Sequence, residues 1–211
     1  MTRSRDTANL LSDGGIGAAE LLTDAVETAK IKDLNVTTGK MADAAVTLAK
    51  LAQPLTKGTA VATTSGTEKD FTGIPSWARR VTLVLSNVSL SGTALLRVRL
   101  GISGSFITTG YLSTSSVISA GSATAASTAG FDVYTNASSA AYLYSGTITL
   151  HYIDTTNNTW VCSGVIAAHG VTWTITVGGY VAIGSALTTV RLTSSNGTDT
   201  FDSGTVNVFY E

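Results

Sequence analysis

His151 and His169 are the two histidines of this 211-residue chain, and Cys162 is its one cysteine. An imidazole can act as a general base or a metal ligand, and a thiolate as a nucleophile. Neither role finds its usual neighbours here. The chain has no Gly-x-Ser-x-Gly and no His-Glu-x-x-His pattern. His151 follows Thr147–Leu150 and alternates with apolar residues, which is the place of a structural strand histidine. Cys162 sits in Trp160-Val161-Cys162 and reads as a small buried hydrophobe, with no partner for an intrachain disulfide. Glycoside hydrolysis would need a pair of carboxylates. Beyond residue 57 the chain offers Glu68, Asp70, Asp132, Asp154, Asp199, Asp202 and Glu211. No spacing among them favours a pair, although one could form across chains. Asp154 heads the turn Asp154-Thr-Thr-Asn-Asn. Asp199 and Asp202 could touch a cation, but two carboxylates in one turn fall short of a ligand set. Gly14-Gly15-Ile16-Gly17 has the glycines of a phosphate loop, without the preceding strand or the following Gly-Lys-Ser/Thr. The expectation is therefore a protein with no catalytic site, no cofactor and no metal.

Binding has better candidates. Tyr134, Tyr142 and Tyr144 cluster around a Ser/Ala-rich stretch, with Trp160 further on. Exposed rings can stack on sugar faces while Ser, Thr and Asn supply hydrogen bonds, which would suit a glycan receptor. The alternative is core or interface packing, since aromatic rings carry much of any small core. Trp77, after Ile74-Pro75-Ser76, is expected to plug one end of the fold or a subunit contact. Asn87-Val-Ser89, Asn136-Ala-Ser138 and Asn196-Gly-Thr198 fit the glycosylation pattern, as chance would supply in so Ser- and Thr-rich a chain.

These side chains need elements to hold them, and the charge distribution divides the chain. Residues 1–57 contain 14 of its 27 charged residues, and residues 58–211 contain the other 13. The net charge of -1 gives no electrostatic case for nucleic acid or an anionic membrane. No run approaches about 18 apolar residues, so no membrane span is expected. Met1-Thr-Arg-Ser-Arg-Asp6 lacks a following apolar run, which predicts no signal peptide.

The first quarter carries a ten-residue repeat with apolar residues every five positions: Ile16, Leu21, Val26, Ile31, Val36, Met41, Val46 and Leu51. Five residues turn an α-helix by about 140° net, so these positions make no stripe on a continuous helix. An odd spacing also alternates faces in a strand. The unit is therefore the full ten residues, with one short helical turn and one connector. Asp24 and Glu27 form a capping box, Asp43 keeps the cap alone, and Lys30, Lys40 and Lys50 recur near the unit ends. So short a unit cannot bury its own apolar side chains and needs neighbours, here identical copies of the chain. A disordered tether is the alternative. Gln53-Pro54-Leu55 with Lys57-Gly58 reads as a hinge.

From about Ala60 the period becomes two. Leu96, Val98 and Leu100 alternate with arginines, Trp173, Ile175 and Val177 with threonines, and Val206, Val208 and Tyr210 with Asn207 and Phe209. Further strands are expected over 81–85, 106–112, 142–151, 159–166 and 187–193. Turn signals stand at Ser91-Gly92, Ser103-Gly104, Thr156-Asn157-Asn158, Gly178-Gly179 and Asn196-Gly197. The segment 113–130 is weakly patterned and reads as a long surface loop. The expected class is mainly β: an antiparallel β-sandwich, jelly-roll-like, behind an elongated stalk of short helical turns.

The repeat resembles the Ala-Val-Thr-x-Ala-Lys-Leu repeats of bacteriophage tail fibres and related virion appendages, as in Val46-Thr-Leu-Ala-Lys-Leu51. The stretches Ser65–Pro75, Arg79–Leu83, Gly110–Ser113 and Gly197–Asn207 are similar to the C-terminal domain of small phage fibre proteins. That resemblance implies a non-enzymatic homotrimer of the virion, assembled in the bacterial host cytoplasm. Residues 1–15 would attach it to another virion protein, residues 16–57 would form the stalk, and residues 58–211 a head that contacts a host-surface glycan or protein. A capsid decoration protein (a head fibre) is the second expectation, and a polysaccharide-degrading tail spike the third.

Overall fold

Residues alternating between apolar and hydroxylated or charged types put one row of side chains on each face of an extended chain. Two such sheets can bury their apolar rows against each other. The structure, a computed structural model, describes residues 55–119, 121–135 and 138–211, all within one compact unit, Leu51–Glu211. The repeat positions Ile16, Leu21, Val26, Ile31, Val36, Met41, Val46 and Leu51, the attachment segment 1–15 and the expected helical turns lie outside the described residues.

The described residues are all-β and antiparallel, with no helix. In chain order the strands are β1 (Thr56–Lys57), β2 (Val61–Ala62), β3 (Glu68–Thr72), β4 (Arg80–Leu90), β5 (Leu96–Ile102), β6 (Ser105–Phe106), β7 (Leu112–Ile118), β8 (Ala123–Ser127), β9 (Phe131–Val133), β10 (Leu143–Asp154), β11 (Thr159–His169), β12 (Trp173–Ala182), β13 (Thr189–Ser194) and β14 (Phe201–Tyr210). The larger sheet runs β1-β14-β4-β10-β11-β12-β7-β8, with β2 also on β14. The smaller runs β3-β13-β5-β6, with β9 also on β5. Inward rows from both sheets meet in a common core: Val81, Leu83, Ile148 and Ile175 from the larger, Leu96, Val98, Val190 and Leu192 from the smaller.

The outer faces of the two sheets differ. The smaller carries Arg97 paired to Asp132 by two bonds of 2.6 and 2.8 Å, and Arg191 paired to Asp70 by bonds of 2.6 and 2.7 Å. The Arg191 guanidinium also lies 3.9 Å over the Phe106 ring. The larger sheet is almost without charge. Along β4, β7, β8, β10, β11 and β12 the only Asp, Glu, Lys or Arg residues are Arg80 and Asp154, each at a strand end.

Four expectations from the sequence are corrected. The segment 113–130 is no loop. It holds β7 and β8, whose alternation is hidden because the buried positions of β7 include Ser113 and Ser115. Ser115 Oγ donates to the Thr176 carbonyl at 2.9 Å and accepts from the Tyr134 amide at 3.0 Å, so a buried hydroxyl is satisfied. Nor does one strand cover 106–112: β6 ends at Phe106, and the chain turns through Gly110 (φ +81°) before β7 begins at Leu112. Gly178 and Gly179 lie inside β12, between β11 and β7. Lys57 pairs with Phe209, and the Gly58 amide donates to the Val208 carbonyl at 2.7 Å, so the expected hinge residues Lys57-Gly58 extend the sheet edge.

Candidate functional site

The long strands β10 and β11 give the unit two ends. At one end the chain joins the larger sheet, where Thr56 pairs with Tyr210. Here Arg80 pairs with Glu211, and the half-buried Trp77 tilts onto Tyr210 with ring centroids 5.9 Å apart. The turn after β10 is tied by the Asn157 amide, which donates to Asp154 Oδ1 at 2.8 Å and holds that carboxyl below its usual range. Tyr142 and Trp173 lie at the opposite end, where Leu143 pairs with His169 and Ala168 with Trp173. Ten residues of β10 separate Tyr142 from Tyr152, or about 30 Å of strand.

The four aromatic candidates are divided by this geometry. Tyr144 is 3 % exposed and Trp160 2 %. Both point into the core, so neither is a stacking platform, and that expectation is corrected for these two. Burial also pushes the Tyr144 phenol above its ordinary value. Tyr134 and Tyr142 are half-buried. Tyr142 meets Trp173 edge-on, with centroids 5.5 Å apart and planes at 70°. Trp173 entered the sequence reading only as a strand residue. Nothing local could link it to Tyr142, because the contact arises from the β10-β11-β12 order. Tyr142 and Trp173, both half-buried against the core, form the aromatic edge at this end that keeps some exposure.

Trp160 instead lines a small cleft at the chain-joining end, with Arg79, Tyr152, Asn158 and Leu187. Its ring is 5.2 Å from that of Tyr152, whose hydroxyl donates to Asn158 Oδ1 at 3.1 Å. Arg79 lies 5.0 Å over the Tyr152 ring. The cleft holds about 20 Å³. That accepts one water-sized group and not a sugar ring. The buried Trp160 Nε1 has no hydrogen-bond partner in the protein. Trp160→Phe is therefore expected to change unfolding free energy by less than about 1 kcal/mol, since it removes an unsatisfied donor along with part of the ring, whereas Trp160→Ala costs about 3–5 kcal/mol. Urea unfolding of both variants checks this; equal losses would mean that Nε1 has a structural partner.

Several of the groups that could do chemistry are engaged in the fold. Cys162 is buried, and burial pushes its thiol up to about 12. Asp132, Asp70 and Glu68 pair with arginines. Hydrogen bonds from Asn196 and from the Ala94 amide, which donates to Asp199 Oδ2 at 2.8 Å, lower the Asp199 pKa. His151 is exposed on the larger sheet, and His169 is exposed at the β11 end. Among the described residues no three His, Cys, Asp or Glu side chains cluster as a metal site, and no helix is long and apolar enough to cross a membrane. Comparison with family models, with curated proteins and with solved structures gives no match in any of the three.

Proposed function

We propose that this chain is a non-enzymatic structural fibre of a bacteriophage virion, assembled as a homotrimer, with residues 58–211 as a jelly-roll-like head that contacts the host surface. The observation that carries this reading is the polarity of the head. The chain joins it at the Thr56–Tyr210 end, and the Tyr142–Trp173 edge lies at the other. A segment anchored through residues 1–15 and held on a stalk of residues 16–57 would present that edge outward. Three such edges on one fibre gain avidity from individually weak contacts. The chain crosses repeatedly between the two antiparallel sheets, as from β3 to β4, β4 to β5, β12 to β13 and β13 to β14, which supports a sandwich architecture for the head.

Light scattering of the full chain is expected to give three times the 21.6 kDa chain mass. Trp173→Ala is expected to weaken binding of the full chain to bacterial surface polysaccharide by about tenfold or more, the scale of a central aromatic contact. Unchanged binding would remove the edge from the reading. The burial of Tyr144 and Trp160 leaves fewer aromatic faces for a receptor, which favours a capsid decoration protein as the second reading. Particles without the protein would then adsorb to cells at an unchanged rate.

A further inference from the structure

We infer that the outer face of the larger sheet is covered by a second copy of this chain. This inference rests on the homotrimer proposed above and names the surface through which the heads meet. Registered rows make the face. One row reads Val84, Thr147, Val165, Thr176, Ser116, Thr124 across β4, β10, β11, β12, β7 and β8. Another ends on Val161, Tyr180 and Leu112, beside Arg80 and His151 at its edge. The face exposes large apolar side chains: Val165 is 56 % exposed, Ile118 58 %, Leu112 56 % and Tyr180 46 %. Single exposed apolar residues are ordinary, but a face that joins several and lacks charge is the mark of a contact surface.

The second copy is chosen over a foreign partner by charge. A surface that meets its own copy must avoid like charges, and this one has Arg80 and His151 only at a margin. A surface built to select a foreign protein usually carries complementary charges. In this molecule the paired arginines and carboxylates Arg97–Asp132 and Arg191–Asp70 sit on the smaller sheet, while the charges of the larger sheet, Lys57, Arg80, Asp154 and Asp202, lie on its β1–β14 side or at strand ends, away from the centre of this face. Six strands at about 4.8 Å and eight residues at about 3.3 Å give a face on the order of 750 Å², near the ~800 Å² that each partner brings to a standard interface. The chain also joins this same sheet, through β1. Copies tied together through residues 16–51 would hold their heads at high local concentration, so a modest contact suffices.

The test uses the full chain with one added cysteine. Cys162 is buried and gives a low background. Val165→Cys stands on the central strand β11, and Thr72→Cys on the exposed side of β3 in the other sheet is the control. With a short bismaleimide, Val165→Cys is expected to yield covalent dimers about tenfold or more faster than Thr72→Cys, because both cysteines share the high local concentration of tethered heads and only the covered face brings a pair within reach of the cross-linker. Equal, slow cross-linking of both variants overturns the inference. Light scattering on the same samples separates the two readings. A trimer without Val165→Cys cross-links leaves the fibre standing and removes this face, and a monomer removes both.

Discussion

Gly179→Ala is expected to destabilise the protein by about 3–5 kcal/mol, a large part of a typical 5–15 kcal/mol stability. Gly179 sits in the middle of β12 with φ +149°, a backbone conformation that side-chain-bearing residues rarely adopt. A Cβ there would collide with the Leu112 carbonyl oxygen and come within 2.6 Å of Ser113 Cα. Both obstacles are backbone of β7, which is itself held by pairing to β12 and β8, so neither can swing aside as a side chain would. The adjacent Gly178 is a matched control. Its Cβ would meet only the Cys162 carbonyl oxygen, at 3.7 Å. Gly178→Ala is expected to stay within about 1 kcal/mol of the parent, because restricting the unfolded chain offsets any small crowding. Urea unfolding followed by circular dichroism measures both. A loss below about 1 kcal/mol for Gly179→Ala would show that β7 can shift and that the close approach is not a constraint.

Removing the Tyr111 side chain is expected to cost at least as much. Tyr111 is fully buried, and its ring stands edge-on to Phe131 with centroids 5.0 Å apart. Its hydroxyl accepts a 2.8 Å hydrogen bond from the Leu100 amide. That amide faces the gap on the edge of β5 between β6, which pairs at Gly101, and β9, which pairs at Val98. A side chain thus completes a backbone ladder. Tyr111→Phe keeps the ring but strands a buried amide, for about 1–3 kcal/mol. Tyr111→Ala adds the cavity, for a total above about 4 kcal/mol. The Phe variant also tests a pH dependence. Burial pushes the Tyr111 phenol from 10.0 up to about 12, and the Cys162 thiol from 9.0 up to about 12. Both groups fold in the neutral form. Their contribution is whole below the unfolded-state values and is lost as pH rises through about 9 to 12. The tyrosine share is about 2–3 kcal/mol at ~1.4 kcal/mol per pH unit. Stability of the parent should therefore fall steeply above pH ~10, and that of a Tyr111→Phe, Cys162→Ala double variant should fall less. Parallel alkaline profiles would show that neither group titrates with unfolding.

Strand identity was legible wherever inward positions are apolar. Leu96, Val98 and Leu100 on β5 and Ile175 and Val177 on β12 alternate with polar residues, and each of these inward side chains is buried. Legibility failed where a local signal had a non-local purpose. Ser113 and Ser115 read as loop residues, yet both are buried by the strands around β7, and Ser115 is satisfied there by hydrogen bonds with Thr176 and Tyr134. Gly178-Gly179 read as a turn, but Gly179 is glycine because β7 passes too near for a side chain. The aromatic candidates show the same division. Tyr142 and Tyr134 keep some exposure, whereas Tyr144, two residues from Tyr142 on the same side of the strand order, turns into the core.

By itself the sequence determines that residues 58–211 are mainly β and poor in charge, because a two-residue period of apolar and hydroxylated side chains is a local property that only strands can satisfy. The tertiary structure decides which sheet each strand joins and therefore which face is charged. It brings Trp173 to Tyr142 across β11, and it places that edge about 30 Å from where the chain joins the sheet. Those facts depend on strand order and register, which are set by packing between segments far apart in the chain, and no residue's near neighbours carry that information.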